Sequence, residues 1–358
     1  MQNKEDPRKI LVVAPSWIGD MVMAQSLLIK LKNRYHEAEI HVFVPDWCRG
    51  LLGRMPEVTG VVTNPFKHRE LKLCERFRLG RKLRAMNFDL CLVLPNSLKS
   101  ALVPWFAGIP ERRGWKGEQR YFLLNQMFTR KELLPLMVQR YDALTYAPQE
   151  IHLTGPQDVK DIPYPHLTAY PDKAREILKL LGIDEYDHAL GLCPGAEYGP
   201  AKRWPAEYYA RIASAWIRTK GPVFIFGGAK DTAVATEILN NLDETVKKHC
   251  FDLTGKTKLT EAIDLLASCS AVVTNDTGLM HVAAAVGTPL VAIYGSSSTG
   301  YTPPLTAVAR TVYLTNLNCR PCFKRTCPHS SMECLRDLKP ERVLGEISSL
   351  TGSELSLE

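Results

Sequence analysis

Short apolar runs recur along the chain, each running into a polar or glycine-bearing loop and then into a stretch of helical periodicity. In the first half, runs at 9–14, 39–44, 58–62 and 90–94 predict strands. A helix is predicted over 21–35 and a basic helical stretch over 67–86. The alternation restarts after a segment carrying Pro163, Pro165 and Pro171, which reads as a linker. Strands follow at 189–193, 223–226, 251–253, 271–274 and 289–294, with helices over 206–219, 231–241, 259–268 and 278–286. Two successive α/β units predict two doubly wound, Rossmann-like parallel sheets facing a central cleft. The domains expected are 1–165 and 166–338, followed by a piece, 339–358, whose helix (340–350) packs back on the first domain.

Ligands of such sheets bind outside the carboxyl ends of the strands, so the loops after strands carry the candidate chemistry. The first strand runs into APSWIGDM, with Gly19 alone where a dinucleotide-binding turn needs three glycines. That argues against a nicotinamide or flavin enzyme. The same loop delivers Asp20, either an acid of the first helical turn or a general base facing the cleft. In the second half, CPGAEYGPAKRWP places Gly195 and Gly199 where backbone lies open to a ligand. Lys202 and Arg203 are then either two solvated cations or the cationic part of a pyrophosphate cradle.

The stretch VVTNDTGLMHVAAA ends a strand and opens a helix, with Asp276 or Thr277 as its cap and Gly278 behind. Its free amides and dipole suit a phosphate, and His281, one turn in, is either structural or a phosphate or sugar contact. FIFGGAKD offers Gly227 and Gly228 as room for a base or ribose. Asp231 there either accepts from ribose hydroxyls or caps the next helix. Thr257 or Thr260 is expected to cap the helix over 259–268.

Composition adds bounds. The 358 residues are 45% hydrophobic and 23% charged. Residues 1–9 mix charges and the apolar run after them is short, which reads as a cytoplasmic chain without signal or membrane span. The net charge of +7 is uneven: residues 1–165 hold 25 Lys and Arg against 17 Asp and Glu. The first half is therefore expected to meet something anionic. Residues 67–84 hold eight Lys and Arg against two Glu, either a solvated helix face or a surface that skims anionic lipid with Leu73, Phe77 and Leu83 partly buried. No aromatic-rich recognition motif or zinc-finger spacing supports a nucleic-acid partner.

Ten cysteines in such a chain read as thiols or metal ligands rather than disulfides. Cys319, Cys322, Cys327 and Cys334 cluster in sequence, either as a structural zinc or iron–sulfur site or as free or reversibly oxidised thiols.

Four motifs, APSWIGDMVMAQSL, LPNSLKSALVPWFAGIPERRGW, PGAEYGPAKRWP and TNDTGLMHVAAA, closely resemble the ADP-heptose:lipopolysaccharide heptosyltransferase II family, within glycosyltransferase family nine. The resemblance spans about 9–310. It implies a two-domain GT-B fold and inverting transfer of L-glycero-D-manno-heptose from ADP-heptose to the first heptose of the lipopolysaccharide inner core (heptosyl-Kdo2-lipid A), with no catalytic metal. A different family-nine heptosyltransferase or a GT-B nucleotide-sugar epimerase is the alternative.

Carried over, Asp20 becomes the base and Lys202 the lysine on the donor diphosphate. Asp276, Thr277, Gly278 and His281 form the donor-phosphate helix, and Thr257 falls near the adenine. Gly195 joins the donor loop, while Asp231 competes with Thr232 for the ribose. Asn96, Ser97, Lys99, Arg113, Lys116 and Arg120 lie in the acceptor half, where the cations would meet Kdo carboxylates and core phosphates. The enzyme would be cytoplasmic, in transient contact with the inner leaflet of the inner membrane.

Overall fold

A computed structural model of the chain describes residues 6–67 and 70–357. Among these residues the chain divides into two compact units, Met1–Pro165 and His166–Glu358.

The first unit alternates β1 (Lys9–Val13), α1 (Ile18–Arg34), β2 (Glu39–Val44), α2 (Arg49–Leu52), β3 (Gly60–Thr63), α3 (Leu73–Leu83), β4 (Leu90–Val93), α4 (Leu98–Phe106), β5 (Glu111–Trp115), β6 (Gln126–Phe128) and α5 (Met137–Asp142). The sheet order is β3-β2-β1-β4-β5-β6, and every pairing is parallel. Central strands read KILVV and LCLV because helices cover both faces of the sheet and leave no polar side.

The second unit runs α6 (Pro171–Leu180), β7 (Leu190–Cys193), α7 (Ala206–Thr219), β8 (Val223–Ile225), α8 (Thr232–Asn240), α9 (Glu244–Lys247), β9 (Cys250–Asp252), α10 (Leu259–Ser268), β10 (Ala271–Asn275), α11 (Gly278–Ala285), β11 (Leu290–Ile293), β12 (Ala309–Val312), α12 (Glu333–Arg336) and α13 (Pro340–Thr351). Its order, β12-β11-β10-β7-β8-β9, repeats the connectivity of the first sheet, again all parallel. In each sheet the order reverses beside the first strand: between β1 and β4, and between β7 and β10. These are the switch points where loops part and open a crevice.

The structure differs from the sequence expectation in several places, among them the helices α4, α5 and α6, which the sequence pattern does not predict. β5 is a strand despite reading ERRGW, because Glu111 and Arg113 are both buried and pair at 2.6 Å. β6 and β12 are short and were not anticipated. The basic helix begins at Leu73 and passes into a 3-10 turn over Arg84–Met86, while His68 and Arg69 lie outside the described residues. Finally, α13 packs against α7, β11 and β12 of the second unit. Its Val343, Leu344 and Ile347 complete the same core as Trp204, Trp216 and Val291, which gives the helix its apolar partner.

Candidate active site

At the second switch point, β7 runs into the loop 194–204 and β10 ends at Asn275. Asn275 is fully buried. Its Nδ2 donates to the Pro194 carbonyl at 2.6 Å, and its Oδ1 accepts from the Trp204 amide at 3.2 Å and the Tyr209 hydroxyl at 3.0 Å. One side chain thus fastens both ends of the loop to the strand that leads into Asp276. Trp204 and Tyr209 stack edge to face beneath it, 5.0 Å between ring centroids. The sequence treats Asn275 only as part of a capping motif. The available signal was a lone amide closing an otherwise apolar strand, where burial requires hydrogen-bond partners.

The loop presents Lys202 at the end of a 3-10 turn over Pro200–Lys202. Its Nζ stands 2.5 Å from Asp276 Oδ2, and the pair is mostly buried, 17% and 5% exposed. Tyr198 lies under Nζ at 5.2 Å and under the Arg325 guanidinium at 5.1 Å, and its hydroxyl donates to the Phe323 carbonyl at 2.7 Å. Gly199 has φ +155°, and a Cβ there would stand 2.5 Å from the Arg325 carbonyl, so only glycine fits.

Thr277 is the residue that caps α11, and no side chain bonds the helix's first amides. Those amides and the positive end of the dipole stand beside Lys202 and Asp276, an arrangement suited to an anion. His281 is buried one turn further on. Burial pulls its pKa from 6.5 down to about 4, with Lys202 adding to the fall and Asp276 opposing it. The ring is neutral at neutral pH.

The loop after β8 closes on the loop after β7. A Cβ on Gly195 would lie 2.5 Å from Asp231 Oδ1, so the glycine allows the carboxylate its close approach. Asp231 Oδ2 also accepts from the Gly228 amide at 3.0 Å, bracing the turn that opens α8. Thr232 accepts from the Thr254 hydroxyl at 3.1 Å. Thr257 lies partly buried between β9 and α10. Neither Thr257 nor Thr260 caps α10: the cap position is Lys258, whose amide donates to Glu261 Oε2 at 2.7 Å. Asp276, Lys202, Asp231 and Thr257 therefore follow the adjacent strands β10, β7, β8 and β9.

In the first unit, Asp20 occupies the first turn of α1, directly after β1 and at the switch point, half-buried. Across it, the loop after β4 carries Asn96 and Ser97, and Lys99 opens α4. Arg120 is 1% exposed and binds this loop from beneath, donating to the carbonyls of Pro95 (2.5 Å), Ser97 (3.3 Å) and Trp115 (2.7 Å) and to Asn96 Oδ1 (3.4 Å). Burial lowers its pKa to about 10. Glu118 Oε2 accepts from the Leu98 amide at 2.7 Å and caps α4.

Arg113 is likewise buried, paired with Glu111 and donating to the Thr145 carbonyl at 2.5 Å. Arg113 and Arg120 were expected at acceptor anions, but both guanidinium groups are taken up inside the protein. Asn96, Ser97, Lys99 and Lys116 remain as groups presented around this loop.

Cys319, Cys322, Cys327 and Cys334 line one cavity of about 30 Å³ beside Ala201 and Ser296. All four are free thiols, and Cys334 is pushed up to about 11 by burial and by the other three. Among the described residues no group of three or more His, Cys, Asp or Glu is placed to hold a metal ion. Their segment has another visible role. Its Arg325 carbonyl accepts from the Ala201 amide at 3.0 Å, and its Phe323 amide donates to the Ser296 carbonyl at 2.8 Å, so it braces the loop that carries Lys202.

A family model described as glycosyltransferase family 9 (heptosyltransferase) matches residues 76–333. The chain is 45% identical to lipopolysaccharide heptosyltransferase 2 of Escherichia coli, covering 96% of this chain and 98% of that protein. It is 46% identical to lipooligosaccharide heptosyltransferase 2 of Haemophilus influenzae, over 95% and 99% respectively. The solved structure of E. coli ADP-heptose lps heptosyltransferase II superposes with a TM-score of 0.86 at 44% identity, covering 96% of this chain and 98% of that one. Paired six-stranded parallel sheets, two switch points and near full-length likeness agree: the chain is a GT-B glycosyltransferase and belongs to family 9, the heptosyltransferases.

Proposed function

We propose that the chain transfers a heptosyl group from ADP-heptose to the first heptose of the lipopolysaccharide inner core, with inversion at the anomeric carbon. The observation that carries this reading is the pairing of Lys202 with Asp276 at the start of α11, whose first amides no side chain bonds, on the switch point of the second sheet. A diphosphate seated there meets one pre-positioned cation and two or three backbone amides, which stabilise the charge that grows as ADP leaves. Neutral His281 adds a hydrogen-bonding ring without a second charge.

In the reaction the acceptor hydroxyl oxygen bonds to the anomeric carbon as the bond from that carbon to the diphosphate oxygen breaks. Asp20 takes the hydroxyl proton and ADP departs carrying its negative charge. Asp231 and Thr257 hold the nucleoside end, with Thr232 beside Asp231. Asn96, Ser97, Lys99 and Lys116 meet the acceptor, whose carboxylates and phosphates account for the basic first half. Such an acceptor is a glycolipid, so the enzyme works at the cytoplasmic face of a membrane as a peripheral protein; no described helix is long and apolar enough to cross one.

The test is incubation with ADP-heptose and mono-heptosylated Kdo2-lipid A, followed by mass measurement of the lipid. A gain of one heptosyl unit is expected. In Asp20→Ala, transfer is lost while ADP-heptose binding, read by calorimetry, is retained. Turnover preserved in that variant would remove the assignment of the base, and no mass gain with the parent enzyme would remove the function.

A further inference from the structure

In the first unit, α3 and α4 pack side by side and leave an apolar ridge facing out. Leu71 (53%), Leu73 (50%), Phe77 (49%) and Trp105 (44%) are all exposed. Leu73, Phe77 and Trp105 are linked rather than scattered. Leu73 and Phe77 stand one helical turn apart on the same face of α3. Phe77 meets Phe106 edge to face at 5.2 Å, and Phe106 meets Trp105 at 4.9 Å.

Cations border the ridge. Arg78, Arg81, Lys82 and Arg84 are exposed, and among the described residues none of them has an ion-pair partner. The acids of the segment are already engaged: Glu70 and Glu75 stand 3.5 and 3.6 Å from Lys72.

Two residues that the sequence placed in this surface do not belong to it. Leu83 is in the core. Arg76 is 4% exposed, lies 3.9 Å over the Phe66 ring and donates to the carbonyls of Leu71, Glu70 and Lys99. It ties α3 to α4 and so holds the ridge in shape.

We infer that the α3–α4 ridge docks on an anionic lipid bilayer, with Leu71, Leu73, Phe77 and Trp105 entering the headgroup boundary and Arg78, Arg81, Lys82 and Arg84 meeting lipid phosphates. Charge complementarity selects this occupant. A second copy seated on the same face would bring two sets of unpaired cations together, which is unfavourable. Aromatic and leucine side chains flanked by arginine and lysine match the interfacial region of a membrane, with its apolar boundary and negative surface. The inference deepens the proposed function, which supplies a reason for the protein to reach a membrane, but the ridge is remote in sequence from Asp20 and Lys202 and is tested separately.

The experiment is sedimentation with vesicles in the absence of either substrate. The protein is expected to bind vesicles of phosphatidylglycerol and phosphatidylethanolamine and not vesicles of phosphatidylcholine, with binding lost at high salt. Reversing Arg78, Arg81 and Lys82 to Glu is expected to weaken binding at least about tenfold, since each cation near such a surface contributes on the order of fivefold. Leu73→Ser with Phe77→Ser is expected to weaken it as well.

Circular dichroism confirms that each variant is folded, and turnover on a de-acylated, water-soluble acceptor is expected to stay unchanged. Absent binding to the anionic vesicles, equal binding to phosphatidylcholine, or binding indifferent to charge reversal would each overturn the inference. So would a dimer in light scattering that the same substitutions dissociate. Failure of transfer to the soluble acceptor in the parent protein would overturn the function and leave vesicle binding to stand or fall by itself.

Discussion

Lys202 Nζ and Asp276 Oδ2 stand 2.5 Å apart, contributed by two loops that are 74 residues apart in the chain and adjacent at the carboxyl edge of one sheet. The aspartate holds the ammonium in place before any anion arrives, and a diphosphate at the start of α11 would compete with it for the same charge. Lys202→Ala is expected to lower kcat/KM for ADP-heptose by about 10²–10³, with weakened binding of ADP by calorimetry. Lys202→Arg is expected to recover only part, because a forked guanidinium does not occupy the place of a compact ammonium. Kinetics in the alanine variant equal to the parent would exclude a role for the pair.

Asn275 positions this pair without touching it. Asn275→Ala removes three hydrogen bonds from a dry site and leaves the Pro194 carbonyl and Trp204 amide unpartnered, at a cost of about 2–4 kcal/mol. Asn275→Asp retains the two acceptor interactions but sets a carboxylate against the Pro194 carbonyl. In both variants KM for ADP-heptose is expected to rise while KM for the acceptor holds. Equal change in the two KM values would instead mean general loosening of the fold.

His281 confers an acid limb on stability. Its folded pKa of about 4 lies below the ordinary 6.5, so between these values the unfolded chain binds a proton that the folded chain does not. Stability from this ring is full above pH 6.5 and falls as pH drops toward 4, by on the order of 3 kcal/mol. His281→Gln is expected to flatten that part of a Tm-against-pH curve. A curve of unchanged slope would show that the ring is not held neutral.

Asp142 acts with the opposite sign. It is fully buried near Lys30, at 3.4 Å, and neither carboxylate oxygen has a hydrogen-bond partner among the described residues. Burial raises its pKa from 3.8 to about 7, partly offset by Lys30. Its penalty is therefore absent near pH 4, grows as pH rises to 7 and persists above. Asp142→Asn is expected to be more stable than the parent above pH 7, by up to about 4 kcal/mol, with the difference vanishing near pH 4. Chemical denaturation at the two pH values measures it.

Much of the architecture was legible in the chain. Strands buried on both faces by helices must be apolar throughout, so runs such as LGLC and LVAI announce themselves, and the proline-bearing segment falls at the division between the units. Strand-end loops bearing Asp20, Lys202 and Asp276 followed from the rule that such sheets bind ligands at that edge. β5 was hidden because its charges are cancelled by each other, a pairing that periodicity does not display.

Sequence alone thus determined which residue types stand at the strand ends, since polarity, glycine and helix-start patterns are local properties of the chain. Only the tertiary structure decided which of them stay presented at the strand ends and which are sealed into the frame. Arg113 and Arg120 look like Lys99 and Lys116 in a string of letters, yet they are sealed inside with carbonyl partners from distant segments. Asn275 gained its importance from Pro194, Trp204 and Tyr209, and α13 its place from a core built by other strands. Burial and long-range hydrogen bonding are properties of the folded arrangement, and they separate the cations and amides that build the site from those that serve it.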